Sequence, residues 1–293
     1  MRPKQWVKNI FIFAPLIFSL AEKPAEIFSL HIFRPGYIGR SLAAFFLFSL
    51  VTGAIYMFND ILDHENDKLH PVKQHRPIAS GRLAIQVALP AAAVLLTGVM
   101  LLIFRFNREF FLIAAFYVGL NVAYSLFLKS VVIIDTMVIA LGFLMRVMIG
   151  GAVNQIFLYP WILITTFLLA IFVALIKRRQ ELLKIQGLHP ELVTRKTLLS
   201  YNLGLLDQMI SIATATTLIA YIMYVLSPDV QQKFHTTRLY YTVPFVIFGI
   251  FRYLFLAYSK GEGESPSDII YTDLPFTLNI VLWVSVFILL VNH

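Results

Sequence analysis

The sequence predicts an all-α, polytopic membrane protein with about nine transmembrane helices, forming a single domain over residues 1–293. Three observations predict it. The chain is 59% hydrophobic and only 14% charged, a balance foreign to soluble domains of this length. Its apolar residues gather into spans close to the roughly 20 residues that cross a bilayer. Its basic residues fall mostly into alternate connecting segments.

The spans run in order Val7–Leu20, Ile38–Phe58, Ile85–Phe104, Phe110–Leu128, Val131–Gly151, Pro160–Ile176, Asp207–Leu226, Tyr240–Tyr258 and Pro275–Val291. Backbone polar groups in hydrocarbon must be satisfied within the segment, so each reads as a helix. The first is short and holds Pro15, which predicts a broken or tilted element. The stretch Ile10 to Leu20 lacks an A-x-A-like site, so no cleavable signal peptide is expected. Between spans six and seven, Lys177-Arg178-Arg179-Gln180-Glu181 followed by Leu182, Leu183 and Ile185 predicts an interfacial helix. The segment Ser259 to Leu274 is acidic and turn-rich, and the outer loops are short or bland.

Charge sets the expected orientation. With the N-terminus cytoplasmic, the inner segments carry Arg2, Lys4, Lys8, Lys68, Lys73, Arg76, Arg82, Lys129, Lys177, Arg178, Arg179, Lys184, Arg195, Lys196 and Lys260. The outer segments carry Lys23, Arg34, Arg40, Arg105, Arg108, Lys233 and Arg238. This 15-to-7 bias favours N-in, C-out in a cell (inner) membrane. The net charge of +8 partly reflects that rule; it does not point to nucleic acid, and it suits anionic lipid and phosphorylated substrates. With no cysteine, disulfides, thiolate metal sites and thiol nucleophiles are excluded.

The end of the second span carries the chemistry: Asn59-Asp60-Ile61-Leu62-Asp63-His64-Glu65-Asn66-Asp67. Aspartates at the lip of a membrane helix are costly unless they face a polar interior or water. At about 100° per residue, Asn59, Asp60, Asp63 and Asp67 fall within an arc of about 100°, with Glu65 on the opposite side. Oxygen ligands on one face suit a hard cation such as Mg²⁺, which prefers to share its shell with substrate phosphates. The plainer reading is a solvated acidic cap, but a cap needs one such residue.

Further polar residues gather at the same end. The N-terminal run Arg2-Pro3-Lys4-Gln5-Trp6-Val7-Lys8-Asn9 reads as a basic anchor with an interfacial Trp, and Lys8 and Asn9 could point inward. Lys68 to Arg82 includes Lys73, His75, Arg76 and Gly81, either a phosphate clamp or topogenic charge. His64, His70 and His75 lack ligand spacing and read as loop histidines. Tyr124 and Lys129 close span four. Asp135 and Arg146 share a face of span five but stand about 16 Å apart along it, too far to pair. Asp135 could tether Lys129 or a substrate cation; Arg146 could meet a carboxylate or a lipid phosphate.

Asn59-Asp60-x-x-Asp63-x-x-x-Asp67 on the second of nine spans resembles the first aspartate motif of the UbiA superfamily of intramembrane prenyltransferases. Arg2-Pro-Lys-Gln-Trp-Val-Lys-Asn9, Arg76-Pro-Ile-Ala-Ser-Gly-Arg82 and Tyr124-Ser-Leu-Phe-Leu-Lys129 through Asp135 are similar to the decaprenyl-phosphate phosphoribosyltransferase branch. Where aromatic prenyltransferases of the superfamily carry a second aspartate-rich motif, this sequence has Lys177-Arg178-Arg179-Gln180-Glu181. Cations there disfavour a second Mg²⁺ and favour direct contact with phosphate oxygens.

The resemblance implies transfer of 5-phosphoribosyl from 5-phosphoribosyl 1-diphosphate to a polyprenyl phosphate of decaprenyl type, with Mg²⁺ as cofactor and diphosphate released. It implies Asn59, Asp60, Asp63 and Asp67 at the metal, and Asp60, Asp63 and Lys129 as catalytic residues. Substrate would be bound by Lys8, Tyr56, Lys73, Arg76, Arg82, Tyr124, Lys129, Asp135, Arg146, Lys177 and Arg178. Self-association into a homo-oligomer is left open. One alternative is a polyprenyltransferase acting on an aromatic or lipid acceptor. Another is a transporter or cation channel, but transporters tend to place charge near the midplane and to repeat internally. Asp63→Ala is expected to abolish Mg²⁺-dependent turnover in membranes while leaving the protein folded; near-normal turnover would remove the metal-site reading.

Overall fold

The computed structural model describes residues 3–16, 35–69, 73–186, 200–261 and 266–292. Every regular element among them is helical. A 3-10 helix, Pro3–Phe13, opens the chain, followed by α1 Pro35–Leu62, α2 His64–Lys68, α3 Ile85–Phe106 and α4 Arg108–Leu126. Then come α5 Ile134–Asn154, α6 Pro160–Gln186, α7 Leu203–Leu226, α8 Pro228–Phe234, α9 Val243–Ser259, α10 Pro266–Thr272 and α11 Leu274–Asn292. Eight of the described helices are long and apolar enough to cross a membrane. The chain is thus a multi-pass membrane protein.

The first expected span is the departure: it begins as the 3-10 helix, and its residues 17–20 lie outside those described. Lys23, Arg34, His70, Arg195, Lys196 and the acidic stretch 262–265 also lie outside, as does Arg2. The interfacial helix expected at Lys177 is instead the last turns of α6, which runs unbroken from Pro160 to Gln186. Leu182 in that stretch is buried, so these turns pack inside the bundle rather than lie on a membrane surface. The loops expected to be bland or irregular hold the short helices α8 and α10.

Lipid as solvent explains the arrangement. Val94, Leu112, Phe116 and Ile212 are more than half exposed and face outward. Inside, small and polar residues let helices approach and bond. Asn154 Nδ2 donates to Ser41 Oγ at 2.8 Å, joining α5 to α1. The helix ends are capped where chain direction reverses: Asn107 Oδ1 accepts from Phe110 N at 2.8 Å, and Asn202 Oδ1 from Leu205 N at 2.7 Å. One core, with Ile12, Phe48, Ile55, Phe110 and Ile149, joins the 3-10 helix to α1, α3, α4 and α5. Another, with Phe172, Ile176, Leu206, Ile210 and Tyr253, joins α6, α7 and α9. α5 is the central post: 61% of its apolar window is buried, against 22% for α3, α4 and α6.

The N-terminal helix lies directly on that post. A methyl group on Gly150 would stand 2.0 Å from the Ile12 carbonyl oxygen, so only glycine admits the backbone there. Gly150→Ala is expected to cost about 1–3 kcal/mol and to unseat residues 3–16. A melting curve in detergent and the rate of tryptic cleavage at Lys8 measure this; no change in either would show that the contact does not hold the segment.

Candidate active site

The aspartate run sits where α1 ends. Asp63 is a turn residue (φ −94°, ψ 4°) between α1 and α2. The Asp63 N–H still bonds to the Asn59 carbonyl at 2.9 Å and the Asp67 N–H to the Asp63 carbonyl at 2.8 Å. Helical spacing therefore survives the break, and three elements converge on the run. Arg76 Nη1 donates to Asp60 Oδ1 at 3.2 Å and to Asp67 Oδ2 at 2.5 Å. Lys129 Nζ donates to Asp63 Oδ1 at 2.6 Å. Ser125 Oγ donates to Asn59 Oδ1.

The loop that delivers Arg76 is folded by its own residues. Lys73–His75 is a 3-10 turn, Gly81 adopts φ 75°, and Arg82 donates to the His75 carbonyl at 2.6 Å and to Ser80 Oγ at 3.1 Å. Arg82 is thus a staple of the loop, with its guanidinium engaged away from the aspartates. His64, expected in a loop, instead opens α2, where it bonds to the Ile61 carbonyl and stands 2.9 Å from Glu65 Oε1. Lys68 holds the Glu65 carboxyl below its usual range.

A second cluster lies where α5, α6 and α7 meet. Asp135 and Arg178 are 1% and 2% exposed and bond at 2.7 Å. Arg178 Nη1 also donates to Glu181 Oε2 at 2.5 Å, while its Nη2 is buried without a partner among the described residues. The Tyr201 hydroxyl donates to Asp135 Oδ1 at 2.9 Å and accepts from the Ile133 N–H at 2.7 Å. Burial, reinforced by the nearby Asp135 carboxylate, pushes the Tyr201 phenol up to about 12, so it remains a donor. Ile133 is held at φ 72°, a region a β-branched residue adopts only under constraint. Arg179 pairs with Asp207 at 2.6 Å and stacks 3.8 Å over the Tyr258 ring.

These pairings change two expectations. Asp135 does not tether Lys129, which belongs to Asp63; its partner is Arg178. The run at 177–179 is also not an open cationic wall: Arg178 and Arg179 each meet carboxylates, and Lys177 stands 3.9 Å from Glu181. The reason is the low dielectric, where a buried guanidinium must find counter-charge nearby. Arg146 lies deep in α5 and bonds to Asn9 rather than to the aspartates. Lys8 is half-buried on the N-terminal 3-10 helix, Tyr56 half-buried one turn before Asn59, and Tyr124 stands beside Ser125 and close to Arg178. Ser125, Glu181, Tyr201 and Asp207 were not singled out from the sequence. Glu181, one helical turn after Arg178, carried a readable signal; Tyr201 and Asp207 carried none without the fold.

Among the described residues, no three His, Asp or Glu side chains stand close enough to hold a metal by themselves. Asp60 and Asp67, however, both bond one cationic nitrogen and so aim at one point. That donor set fits an ion such as Mg²⁺, which takes one or two carboxylates and completes its shell with water and substrate phosphate. Asp63 is directed instead to Lys129.

The chain resembles known proteins along nearly its whole length. It is 29% identical to a decaprenyl-phosphate phosphoribosyltransferase of Corynebacterium glutamicum over 289 residues, covering 97% of this chain and 83% of that protein. It is also 29% identical to an uncharacterized protein of Sinorhizobium fredii, over 83% of this chain but only 46% of that longer protein. Its fold matches a UbiA homolog from Archaeoglobus fulgidus bound to DMAPP and Mg²⁺, with a TM-score of 0.70 at 17% identity, over 99% of this chain and 96% of that one. The model of the UbiA prenyltransferase family matches residues 27–267, which takes in the aspartate run, the Lys129 pair and the Arg178 cluster. The chain therefore belongs to the UbiA prenyltransferase family.

Proposed function

We propose that this protein transfers the 5-phosphoribosyl group of 5-phosphoribosyl 1-diphosphate to a polyprenyl phosphate, releasing diphosphate. The observation that carries the reading is the composition of the α6 end. Lys177, Arg178 and Arg179 stand there, with Arg178 buried at the foot of α5. The carboxylates beside them, Asp135, Glu181 and Asp207, are each held by these guanidinium groups, which leaves little to bind a second metal, while Arg178 Nη2, buried without a partner among the described residues, has a donor to offer a phosphate oxygen. The similarity to the C. glutamicum phosphoribosyltransferase supports the same choice.

Mg²⁺ held by Asp60 and Asp67, with Asn59 and Asp63 beside them, would supply Lewis-acid stabilisation of the charge on departing diphosphate. The chain's own residues do the rest. Arg76 and Lys129 bond these carboxylates and are within reach of an anion bound to them. They bind phosphate oxygens as negative charge develops on the leaving group and C1 of the ribose becomes oxocarbenium-like. Lys73 adds positive charge beside Arg76, Lys8 offers an ammonium from the N-terminal helix to the phosphate of the lipid, and Tyr56 and Tyr124 orient the ribose. The lipid phosphate is anionic at pH 7 and attacks without a general base. Its tail lies among apolar helices, while the polar substrate enters from the cytoplasm, the side the excess of basic residues assigns to the aspartate end.

Membranes carrying the protein, supplied with labelled phosphoribosyl diphosphate and a polyprenyl phosphate, are expected to move label into the lipid phase with Mg²⁺ and not after chelation. Label that stays in water, together with transfer of a labelled polyprenyl chain from its diphosphate to an aromatic acceptor, would replace this reading with the prenyltransferase one.

A further inference from the structure

One buried cation stands apart from the ion pairs. Arg146 is 4% exposed inside α5, and its polar partners among the described residues are all neutral. Nε donates to Asn9 Oδ1 at 2.9 Å, Nη1 to the Gly142 carbonyl at 2.5 Å, and Nη2 reaches the Tyr117 hydroxyl at 3.5 Å. Its guanidinium carbon lies 5.4 Å from the ring centres of Phe48 and Tyr117 and 5.5 Å from that of Phe143. Ring faces and two amide oxygens thus solvate a charge that, at Arg178 and Arg179, is met by carboxylates. For stability alone, an apolar side chain of similar volume would do as well or better.

What the charge achieves is directional. Asn9 is fully buried, and while its oxygen accepts from Arg146 on α5, its Nδ2 donates to Ser49 Oγ on α1 at 2.9 Å. One side chain fastens the N-terminal helix to both neighbours. With three residues per 3-10 turn, Trp6, Asn9 and Ile12 share the inward face, and Ile12 rests on Gly150. Lys8 is the residue immediately before Asn9. Arg146 itself stands about 16 Å along α5 from Asp135, too far to touch the reacting groups.

We infer that Arg146 is a positioning residue: through Asn9 it clamps the N-terminal 3-10 helix between α1 and α5 and so fixes where Lys8 meets the phosphate of the lipid acceptor. The inference rests on the reading of Lys8 as a phosphate ligand. It separates the two substrates, because loss of the clamp moves Lys8 and leaves the aspartate run, Arg76 and Lys129 in place.

The chain has no cysteine, so introduced thiols report cleanly. In detergent-solubilised protein, Arg146→Met is expected to raise the rate of maleimide labelling of Gln5→Cys roughly tenfold, as a local opening does. In the transfer assay, the same variant without that cysteine is expected to raise KM for polyprenyl phosphate by roughly ten- to a hundredfold, the scale of a 1 Å misplacement. KM for phosphoribosyl diphosphate is expected to stay unchanged. A disulfide between Asn9→Cys and Ser49→Cys, added to Arg146→Met, is expected to restore the lipid KM, and reductant to abolish the rescue. If Arg146→Met does not fold, Asn9→Ala serves in the same measurements. Unchanged labelling, equal rises in both KM values, or a lipid KM that the tether fails to restore would each overturn the clamp. If the wild type transfers no phosphoribosyl group, the labelling comparison still decides whether Arg146 holds the segment, and the failure falls on the proposed reaction.

Discussion

The structure turns on finding partners for charge inside a low-dielectric bundle. An ionised side chain in hydrocarbon is tolerated only when carboxylate meets cation or when dipoles and ring faces take over from water. Asp135, Arg178 and Glu181 form one such set, and Arg76 with Asp60 and Asp67 another. Two of the pairs link elements distant in sequence: Asp63 finds its lysine 66 residues later, and Asp135 its arginine 43 residues later. The apolar helices have no solvent-driven reason to choose one neighbour over another in lipid. The polar pairs supply that choice, and the helices that carry them surround α5, the most buried of all.

The same pairs shape the candidate site. It has two parts at one end of the bundle: a cluster of carboxylates at the end of α1 and a set of cations at the foot of α6. Lys129, in the connection between α4 and α5, bonds the first, while Tyr124, at the end of α4, borders the second. The UbiA family relationship places this architecture among intramembrane prenyltransferases.

Much of this was legible in the chain. Span length and apolarity gave the helices because the bilayer fixes both, and α3, α5 and α7 fall within a few residues of expectation. The common face of Asn59, Asp60, Asp63 and Asp67 followed from helical spacing and survived the turn at Asp63. Pairing was not legible. Charge order along the chain does not reveal that Arg178 belongs to Asp135 or that Arg82 is consumed in folding its own loop. The 3-10 geometry of residues 3–13 was hidden too, as was its close approach to Gly150, 138 residues after Ile12.

The pin at the start of α5 has a consequence for biosynthesis. Ile133 is held in its constrained conformation, and the Asp135 carboxylate is satisfied, by a tyrosine 68 and 66 residues farther on. When α5 emerges from the ribosome, neither Arg178 nor Tyr201 has yet emerged to meet it. The nascent helix enters the bilayer before the Asp135 carboxylate has its guanidinium and phenol partners, and the corner at Ile133 is free to relax. The N-terminal half of the site is thus completed only when the start of α7 arrives, so a chain truncated before Tyr201 carries the whole aspartate run yet lacks the catch that sets the α4–α5 corner.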